Sequence, residues 1–247
     1  MVQNTLEKMK KMHMGAMSQT YGEDIKNGQI NQYTIDEYLA RIVDEEWLSR
    51  QNKKIRNLKK AANFRTHAHP LNVDYTLHRE LDKGLMERLM SLEFMKQKDN
   101  IIFTGPTGTG KSYLAQSIGV KACEMLHKVI YYPLSTFTDM LQAMQLQGNY
   151  QKWINRLKQA DVLIIDDFGL TGMDDRTRKA LMEIIDFRYD QSSMIIISQI
   201  PVKDWHGLIG ENTIADAIMD RITHNSHRIA LNGESVRKVR KNVAVHG

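Results

Sequence analysis

The chain has 247 residues, with 34 Lys and Arg against 29 Asp and Glu, and a formal net charge of +5. This length is enough for one full α/β domain and a smaller second unit. The single cysteine, Cys123, excludes a disulfide framework, and no signal-peptide core or run of eighteen apolar residues occurs, so we expect a cytoplasmic protein with no membrane segment.

The positive charge is concentrated near the start of the chain. Residues 1–70 carry 12 basic and 8 acidic residues, whereas residues 71–247 carry 22 and 21. A local excess of this kind favours a polyanionic partner over a general role in solubility. Nucleic acid is therefore the leading candidate for that partner.

A long helix is predicted to begin at Thr34. Thr34 and Glu37 have the spacing of a capping box, and the apolar residues that follow at helical intervals are Ile35, Leu39, Ile42 and Val43. Pro70 disfavours helical geometry in the residue before it, so the helix should end ahead of it. We place a helical, basic domain at 1–70 and a second domain at 71–247.

The later part of this helix, residues 50–65, contains seven Lys or Arg and no acidic residue. Such a run repels itself unless a polyanion neutralises it, although a solvated helix face is the alternative interpretation. The candidate DNA contacts are Lys53, Lys54, Arg56, Lys59 and Lys60.

The second domain alternates between helical and strand patterns. It opens with helical spacing of Leu77, Leu81, Leu85, Leu89 and Leu92. The short apolar runs are Ile101–Thr104, Val129–Tyr132, Val162–Ile165, Met194–Ile197 and Arg228–Leu231, with helical patterns such as Tyr113–Leu126 and Arg176–Tyr189 between them. Apolar strands separated by helices indicate a parallel five-stranded sheet covered on both faces, a three-layer α/β domain.

A phosphate-binding loop, GPTGTGKS, follows the first strand and precedes a helix, as its mechanism requires. Its glycines let backbone amides surround an oxyanion, and the helix start adds a positive dipole end. Lys111 should reach the β- and γ-phosphates, and the Ser112 hydroxyl should bind Mg²⁺. The predicted nucleotide-binding residues are Gly105, Pro106, Thr107, Gly108, Thr109, Gly110, Lys111, Ser112 and Tyr113.

Polar residues follow two further strands. Asp166 and Asp167 directly follow the third apolar run. Asp166 would hold Mg²⁺, and Asp167 would polarise the attacking water. The alternative interpretation is an acidic turn after the strand. Gln199, after the fourth run, has the position to detect a γ-phosphate. Because no Asn-Lys-x-Asp segment for guanine occurs, ATP is favoured over GTP.

These segments, together with ADAIMDRITHNSHRIALNGESVRK at Ala215–Lys238, resemble the IstB-like ATP-binding proteins, AAA+ helpers of insertion-sequence transposition that are related to helicase loaders. The resemblance implies that Lys111 and Ser112 are Walker A residues, Asp166 the Walker B carboxylate, and Gln199 sensor I. It places Asp167 where most AAA+ proteins have a catalytic Glu. The chain is too short beyond Arg237 for the usual helical lid, which weakens a sensor II role for that residue.

The same resemblance makes Arg221 an arginine finger that acts on the nucleotide of a neighbouring subunit. The alternative is a surface ion pair of Arg221 with Asp216 or Asp220. If the finger interpretation holds, ATP lies at subunit interfaces and drives oligomerisation.

An insert of two helices, Phe137–Met144 and Tyr150–Lys158, resembles an extra element of the initiator branch of AAA+ proteins. Its basic residues Lys152, Arg156 and Lys158 are further candidate DNA contacts. The alternative is an amphipathic helix that buries Trp153 and Leu157.

The sequence thus predicts an ATPase that uses ATP and Mg²⁺, oligomerises on double-stranded DNA and helps a transposase select its target. Two alternatives remain open at this point. One is a helicase loader, and the other is a nucleotide-dependent scaffold that hydrolyses little ATP.

Overall fold

The computed structural model describes residues 1–77, 79–233 and 235–236. The chain divides into two compact units, Met1–Asn57 and Leu58–Gly247. This division falls inside the long helix Ile35–Ala62. The domain assignment 1–70 and 71–247 stays a prediction. Arg237 lies outside the described residues.

The first unit is helical. Its elements are α1 (Val2–Lys11), α2 (Gly15–Lys26) and the start of α3 (Ile35–Ala62). The predicted capping box is present, because the Thr34 backbone N–H donates to Glu37 Oε2 at 2.8 Å and the Glu37 N–H donates to Thr34 Oγ1 at 3.3 Å. Of the apolar residues predicted for this helix, Ile42 packs in a small core, whereas Ile35, Leu39 and Val43 are exposed.

The second unit contains a parallel sheet of five strands among the described residues. The strands are β1 (Asn100–Thr104), β2 (Val129–Pro133), β3 (Val162–Asp166), β4 (Ser193–Ile197) and β5 (Ser226–Ala230). Their order is β2-β3-β4-β1-β5, with every neighbouring pair parallel. The carboxyl ends of β1, β3 and β4 therefore meet at one edge of the sheet.

Helices cover both faces of this sheet. They are α4 (Lys83–Met90), α5 (Glu93–Gln97), α6 (Lys111–Glu124), α7 (Leu134–Leu146), α8 (Tyr150–Lys158), α9 (Asp175–Arg188), α10 (Trp205–Ile209) and α11 (Asn212–Thr223). Successive strand residues point to opposite faces, so Ile102 packs in one apolar core and Ile101 in the other. The predicted three-layer architecture is confirmed. In the described part of the chain, no helix has both the length and the hydropathy needed to cross a bilayer.

The helix predicted from the leucine spacing begins later than Leu77. Asp82 caps it, because its side chain accepts from the Leu85 N–H at 3.0 Å, and α4 starts at Lys83. Leu92 has a left-handed backbone (φ 64°) that separates α4 from α5. The leucine periodicity therefore predicted one helix from Leu77 to Leu92, and missed both the start of α4 at Lys83 and the break between α4 and α5.

A buried arginine joins the end of helix α8 to strand β4. Arg188 is 1% exposed, and its guanidinium donates to five backbone carbonyls, those of Leu157, Lys158, Ala160, Asp161 and Ser193, at 2.6 to 3.4 Å. Burial lowers the pKa of Arg188 to about 9. Three of these carbonyls lie at or just beyond the end of α8, where helix carbonyls lack partners within the helix.

We expect Arg188→Leu to lower the free energy of unfolding by about 2 kcal/mol, because buried carbonyls would lose their donors. Urea denaturation of both proteins measures this difference. Arg176→Leu, an exposed position on the same helix, is the control and should change stability by less than about 0.5 kcal/mol. Equal stability of the two variants would contradict the role given to Arg188.

Candidate nucleotide-binding site

The loop between β1 and α6 has a backbone that only glycine accommodates at two points. Gly105 has φ 134° and Gly110 has φ 92°. A Cβ at Gly105 would lie 2.0 Å from the Leu231 carbonyl oxygen, and one at Gly110 would lie 2.5 Å from Arg79 Nη1. The loop therefore presents bare backbone in a narrow turn, which is the property that a phosphate cradle needs.

Lys111, the first residue of α6, folds back over this loop. Its ammonium group donates to the carbonyl oxygens of Gly105 at 2.7 Å and Pro106 at 2.8 Å. Burial lowers the pKa of Lys111, whereas the nearby carboxylates of Asp166 and Asp167 raise it. The Lys111 ammonium is thus held against the loop by two carbonyl oxygens, which an anion can replace as its partners.

Asp166, the last residue of β3, is 3% exposed and has a fixed orientation. Its Oδ2 accepts from the Tyr131 hydroxyl at 2.7 Å, and its Oδ1 accepts from the Asp167 N–H at 2.8 Å. Tyr131 pairs with Ile164 in the sheet, so it lies on the same face as Asp166, two residues further along β3. Burial raises the pKa of Tyr131, which keeps its hydroxyl protonated as a donor.

Asp167 has a left-handed backbone, with φ 56°. Few residues other than glycine adopt this conformation, although aspartate does so more readily than most. Burial and the negative charge of Asp166 raise the pKa of Asp167, and Arg65, Gln199 and Lys111 oppose this rise. Asp167 therefore lies among three groups that favour its ionised form.

Gln199 follows β4, and β4 lies between β1 and β3 in the sheet. Gln199 reaches the Asp167 side chain closely enough to lower its pKa through a hydrogen bond. The preceding turn is fixed because the Ser198 hydroxyl donates to the Phe168 carbonyl at 2.6 Å and accepts from the Ile200 N–H at 3.0 Å. The sheet order thus brings Gln199 to the same edge as the loop and the two aspartates.

These groups surround one cleft of about 540 Å³. The predicted residues that line it are Thr107, Gly108, Gly110, Lys111, Ser112, Tyr113, Asp166, Asp167 and Gln199. Gly105, Pro106 and Thr109 lie within the loop itself, where the fully buried Thr109 donates its hydroxyl to the Pro106 carbonyl at 3.0 Å. The roles of these residues stay predictions, but their side chains and backbone meet at one place.

Residues absent from the predicted set also line the cleft, among them Arg65, Arg79 and Tyr131. Arg65, which the sequence suggested only as the end of a basic helix, lies 3.9 Å from Asp167 Oδ2 through its Nη1 atom. Tyr131 orients Asp166, and Arg79, 3% exposed, donates to the Thr109 carbonyl at 3.2 Å. The pairing of β2 with β3 could have indicated that Tyr131 lies beside Asp166. Arg65 and Arg79 reach the cleft through contacts between distant parts of the chain, which the sequence does not reveal.

Arg221 lies at the opposite edge of the sheet. It is in the last turn of α11, and its carbonyl accepts from the side chain of Asn100, the first residue of β1, at 3.3 Å. Its guanidinium pairs with Asp186 at 2.9 Å, rather than with Asp216 or Asp220. Arg221 is thus separated by the length of β1 from the loop that follows that strand.

The two predicted insert helices are present as α7 and α8, and Trp153 and Leu157 of α8 are buried. Lys152 and Arg156 are exposed on the other face of α8. They line a groove of about 500 Å³ together with Lys128 and with Leu58 and Ala61 near the end of α3. The structure therefore joins the insert to the end of the basic helix around one groove.

The remaining predicted DNA contacts fall into two groups. The exposed side chains are those of Lys53, Lys54, Arg56 and Lys60. Lys59 pairs with Glu124 at 2.8 Å, and Lys158 pairs with Glu183 at 2.9 Å. The charges of these last two residues are already balanced by carboxylates of the same unit.

Comparisons with known proteins give a family for the sequence. The family model described as IstB-like ATP binding protein matches residues 7–244. An insertion sequence ATP-binding protein of Sinorhizobium fredii is 38% identical over 234 residues, covering 95% of this chain and 96% of that protein. An insertion sequence IS21 ATP-binding protein of Pseudomonas aeruginosa is 27% identical over 239 residues, covering 97% and 89%.

Solved structures give the fold. DnaA from Aquifex aeolicus, bound to AMPPCP, superposes with a TM-score of 0.60 at 20% identity, covering 75% of this chain and 57% of that chain. The DnaC helicase loader superposes with a TM-score of 0.55 at 17% identity, covering 67% and 97%. These similarities show that the α/β fold of the second unit is shared with those proteins.

Proposed function

Because the chain belongs to the IstB-like ATP-binding protein family of insertion sequences, we propose that it is an ATPase that assembles on double-stranded DNA and helps a transposase select its target. The observation that carries this proposal is the convergence of Lys111, Asp166, Asp167 and Gln199 on one cleft. Binding of ATP follows from the family. Hydrolysis, duplex binding and the transposase as client belong to the proposal.

The cleft has the chemistry that a triphosphate needs. Backbone amides of a glycine-rich turn, the dipole at the start of α6 and the Lys111 ammonium supply positive potential at one end. The Asp167 carboxylate would accept a hydrogen bond from the attacking water, and Gln199, two residues beyond the end of the intervening strand β4, would help to hold that water. Arg221 of a neighbouring subunit would complete the site.

Magnesium fits the same cleft through oxygen ligands. The Ser112 hydroxyl and the Asp166 carboxylate both line it, and Tyr131 fixes the carboxylate orientation. When bound with the nucleotide, Mg²⁺ would neutralise charge on the β- and γ-phosphates. The hydroxyl of Tyr131 would keep Asp166 turned toward the cation.

Duplex binding is supported by the groove between α8 and the end of α3. Lys128, Lys152 and Arg156 surround it, and Lys60 is exposed nearby in sequence on α3. Phosphates require positive charge at suitable spacing and no base-specific donor, so this surface suits a protein that binds DNA with little regard to sequence.

We expect Lys152→Glu combined with Arg156→Glu to weaken duplex binding and to flatten its salt dependence. Each lost phosphate contact should reduce the slope of log affinity against log salt by about 0.9. Fluorescence anisotropy with a labelled duplex at several salt concentrations measures both effects. The control is Arg176→Glu combined with Lys179→Glu, two exposed cations on α9. A salt-independent affinity of the unmodified protein would contradict duplex binding through phosphates.

Two measurements test the function itself. Phosphate release with and without duplex distinguishes an ATPase from a nucleotide-dependent scaffold, since the scaffold would show almost no turnover. Binding of double-stranded against single-stranded DNA in the presence of ATP distinguishes a transposition helper from a helicase loader. A preference for single strands would contradict the proposed function.

A further inference from the structure

One face of helix α3 in the first unit exposes a row of apolar side chains. The row recurs every four positions and consists of Ile35, Leu39, Val43 and Trp47. These residues are 45% to 87% exposed, whereas Tyr38 and Ile42, in the next row around the helix, are buried in the small core of this unit. Large apolar side chains that share one helix face mark a binding surface, because a row at this spacing is what an apolar groove accepts. We call this row the α3 stripe.

Negative charge lies beside the α3 stripe. Asp36 precedes Leu39 by three positions and Asp44 precedes Trp47 by three, a spacing that makes the members of each pair neighbours on the helix surface. Both aspartates are exposed, and in the described part of the chain neither forms an ion pair. A surface that matches the α3 stripe would therefore be apolar and positively charged.

The second unit contains a groove of that kind, with a volume of about 610 Å³, between α5 and the end of α6. Methionine and lysine supply six of its lining residues, which are Met90, Met95, Met125, Lys96, Lys98 and Lys121. Asp161, also in the lining, already has partners, since it accepts from the Lys128 N–H at 2.6 Å and lies 3.7 Å from His127 Nδ1. Because methionine side chains are flexible, this methionine groove can adapt to an apolar face.

The methionine groove lies beside Arg221. Lys98 and Ser192 line the groove and also line the cavity that Arg221 borders. Strand β1 begins at Asn100, so the groove is at the amino ends of the strands, at the edge of the sheet away from the nucleotide cleft. If Arg221 acts on the cleft of a neighbouring subunit, as proposed, the groove at this edge also faces a neighbour.

We propose that the methionine groove of one subunit binds the α3 stripe of another copy of the chain, with Asp36 and Asp44 against the lysines of the groove. The inference rests on the proposed assembly and adds a second contact to it. An amphipathic helix that lays its apolar row into a groove is a common mode of recognition, and opposite charges at its border set the orientation. Trp47 is the expected anchor, because buried tryptophan contributes strongly to interfaces.

Tryptophan fluorescence tests this contact directly. Trp47 is 57% exposed, whereas Trp153 is 6% exposed and Trp205 is fully buried. Acrylamide should quench Trp47 in the dissociated protein and lose access to it after assembly with a non-hydrolysable ATP analogue and duplex. Lys96→Glu combined with Lys98→Glu should keep Trp47 accessible, which separates burial in the groove from shielding by DNA. Full quenching in an assembled, unmodified protein would overturn the inference and leave the proposed function intact.

A charge exchange tests whether the contact joins two copies. Asp36→Lys with Asp44→Lys, and Lys96→Glu with Lys98→Glu, should each raise the protein concentration for half-maximal assembly by about tenfold or more, because like charges at an interface repel. A mixture of the two double variants should recover part of the assembly, since the changed stripe then matches the changed groove. Sedimentation velocity with the ATP analogue and duplex measures assembly in each case.

The matched control for the groove variant is Arg176→Glu with Lys179→Glu, which makes the same charge change at exposed positions of α9 and should assemble as the unmodified protein does. Unchanged assembly of the groove variant, which leaves α3 intact, would overturn the inference. Recovery in one chain that carries all four changes, without recovery in the mixture, would also overturn it, because the contact would then lie within one chain. Failure of the unmodified protein to assemble would remove the proposed function as well.

Discussion

Lys111→Ala is expected to abolish useful binding of MgATP. The ammonium group of Lys111 is positioned at the rim of the loop by the carbonyls of Gly105 and Pro106, so it can exchange these partners for phosphate oxygens. Two charge-assisted hydrogen bonds of about 2 kcal/mol each correspond to a loss of roughly a thousandfold in affinity. Isothermal titration calorimetry with ATP and Mg²⁺ measures the dissociation constant directly.

Lys121→Ala is the control for this variant, because Lys121 lies on the same helix and outside the cleft. Its affinity for ATP should match that of the unmodified protein. Thermal unfolding without nucleotide checks that both variants are folded. If Lys111→Ala retained full magnesium-dependent affinity, the assignment of this loop as the triphosphate site would be wrong.

Arg221→Ala should leave ATP affinity nearly intact while reducing hydrolysis by roughly a thousandfold. Arg221 lies at the edge of the sheet opposite its own cleft, so it can act only on the nucleotide of another subunit. The variant loses its ion pair with Asp186, but a pair at the surface contributes at most about 1 kcal/mol to stability. Steady-state phosphate release and light scattering with ATP measure turnover and assembly.

Asp186→Ala separates the two interpretations of Arg221. It removes the ion pair and keeps the arginine, so it should preserve turnover if Arg221 acts as a finger.

Mixing Arg221→Ala with Lys111→Ala adds a second test, because the Arg221→Ala subunit supplies an intact cleft and the Lys111→Ala subunit supplies an intact arginine. The mixture should regain part of the activity that each protein lacks alone, and no recovery would count against a shared site.

Local sequence patterns predict much of this fold. Apolar runs locate the strands to within about two residues, since a parallel sheet covered on both faces requires continuous apolar segments. The glycine pattern of the loop locates the cleft, because the turn between β1 and α6 excludes side chains at Gly105 and Gly110. In both cases the physical requirement, an apolar strand or a turn without side chains, is met by a few consecutive residues, so the sequence shows it directly.

The remaining features depend on contacts between distant parts of the chain. Arg65 meets Asp167 across 102 positions of sequence, and Asp186 meets Arg221 across 35. Neither pairing leaves a local pattern in the sequence. The sequence therefore suggested that Arg65 ends a basic helix, and that Arg221 pairs with Asp216 or Asp220. The start of α4, in contrast, depends on a local signal. Asp82 is a typical N-cap residue that the sequence shows, but the leucine spacing favoured an earlier start for the helix.

With the cleft on one edge of the sheet and Arg221 on the other, subunits that share a nucleotide must stack head to tail. Such a contact either closes into a ring or continues as an open spiral. An open spiral has two unlike termini, one with a cleft that no arginine completes and one with an arginine that faces solvent. Its growth and its loss of subunits would then have a direction along the DNA, set by which terminus still holds its nucleotide.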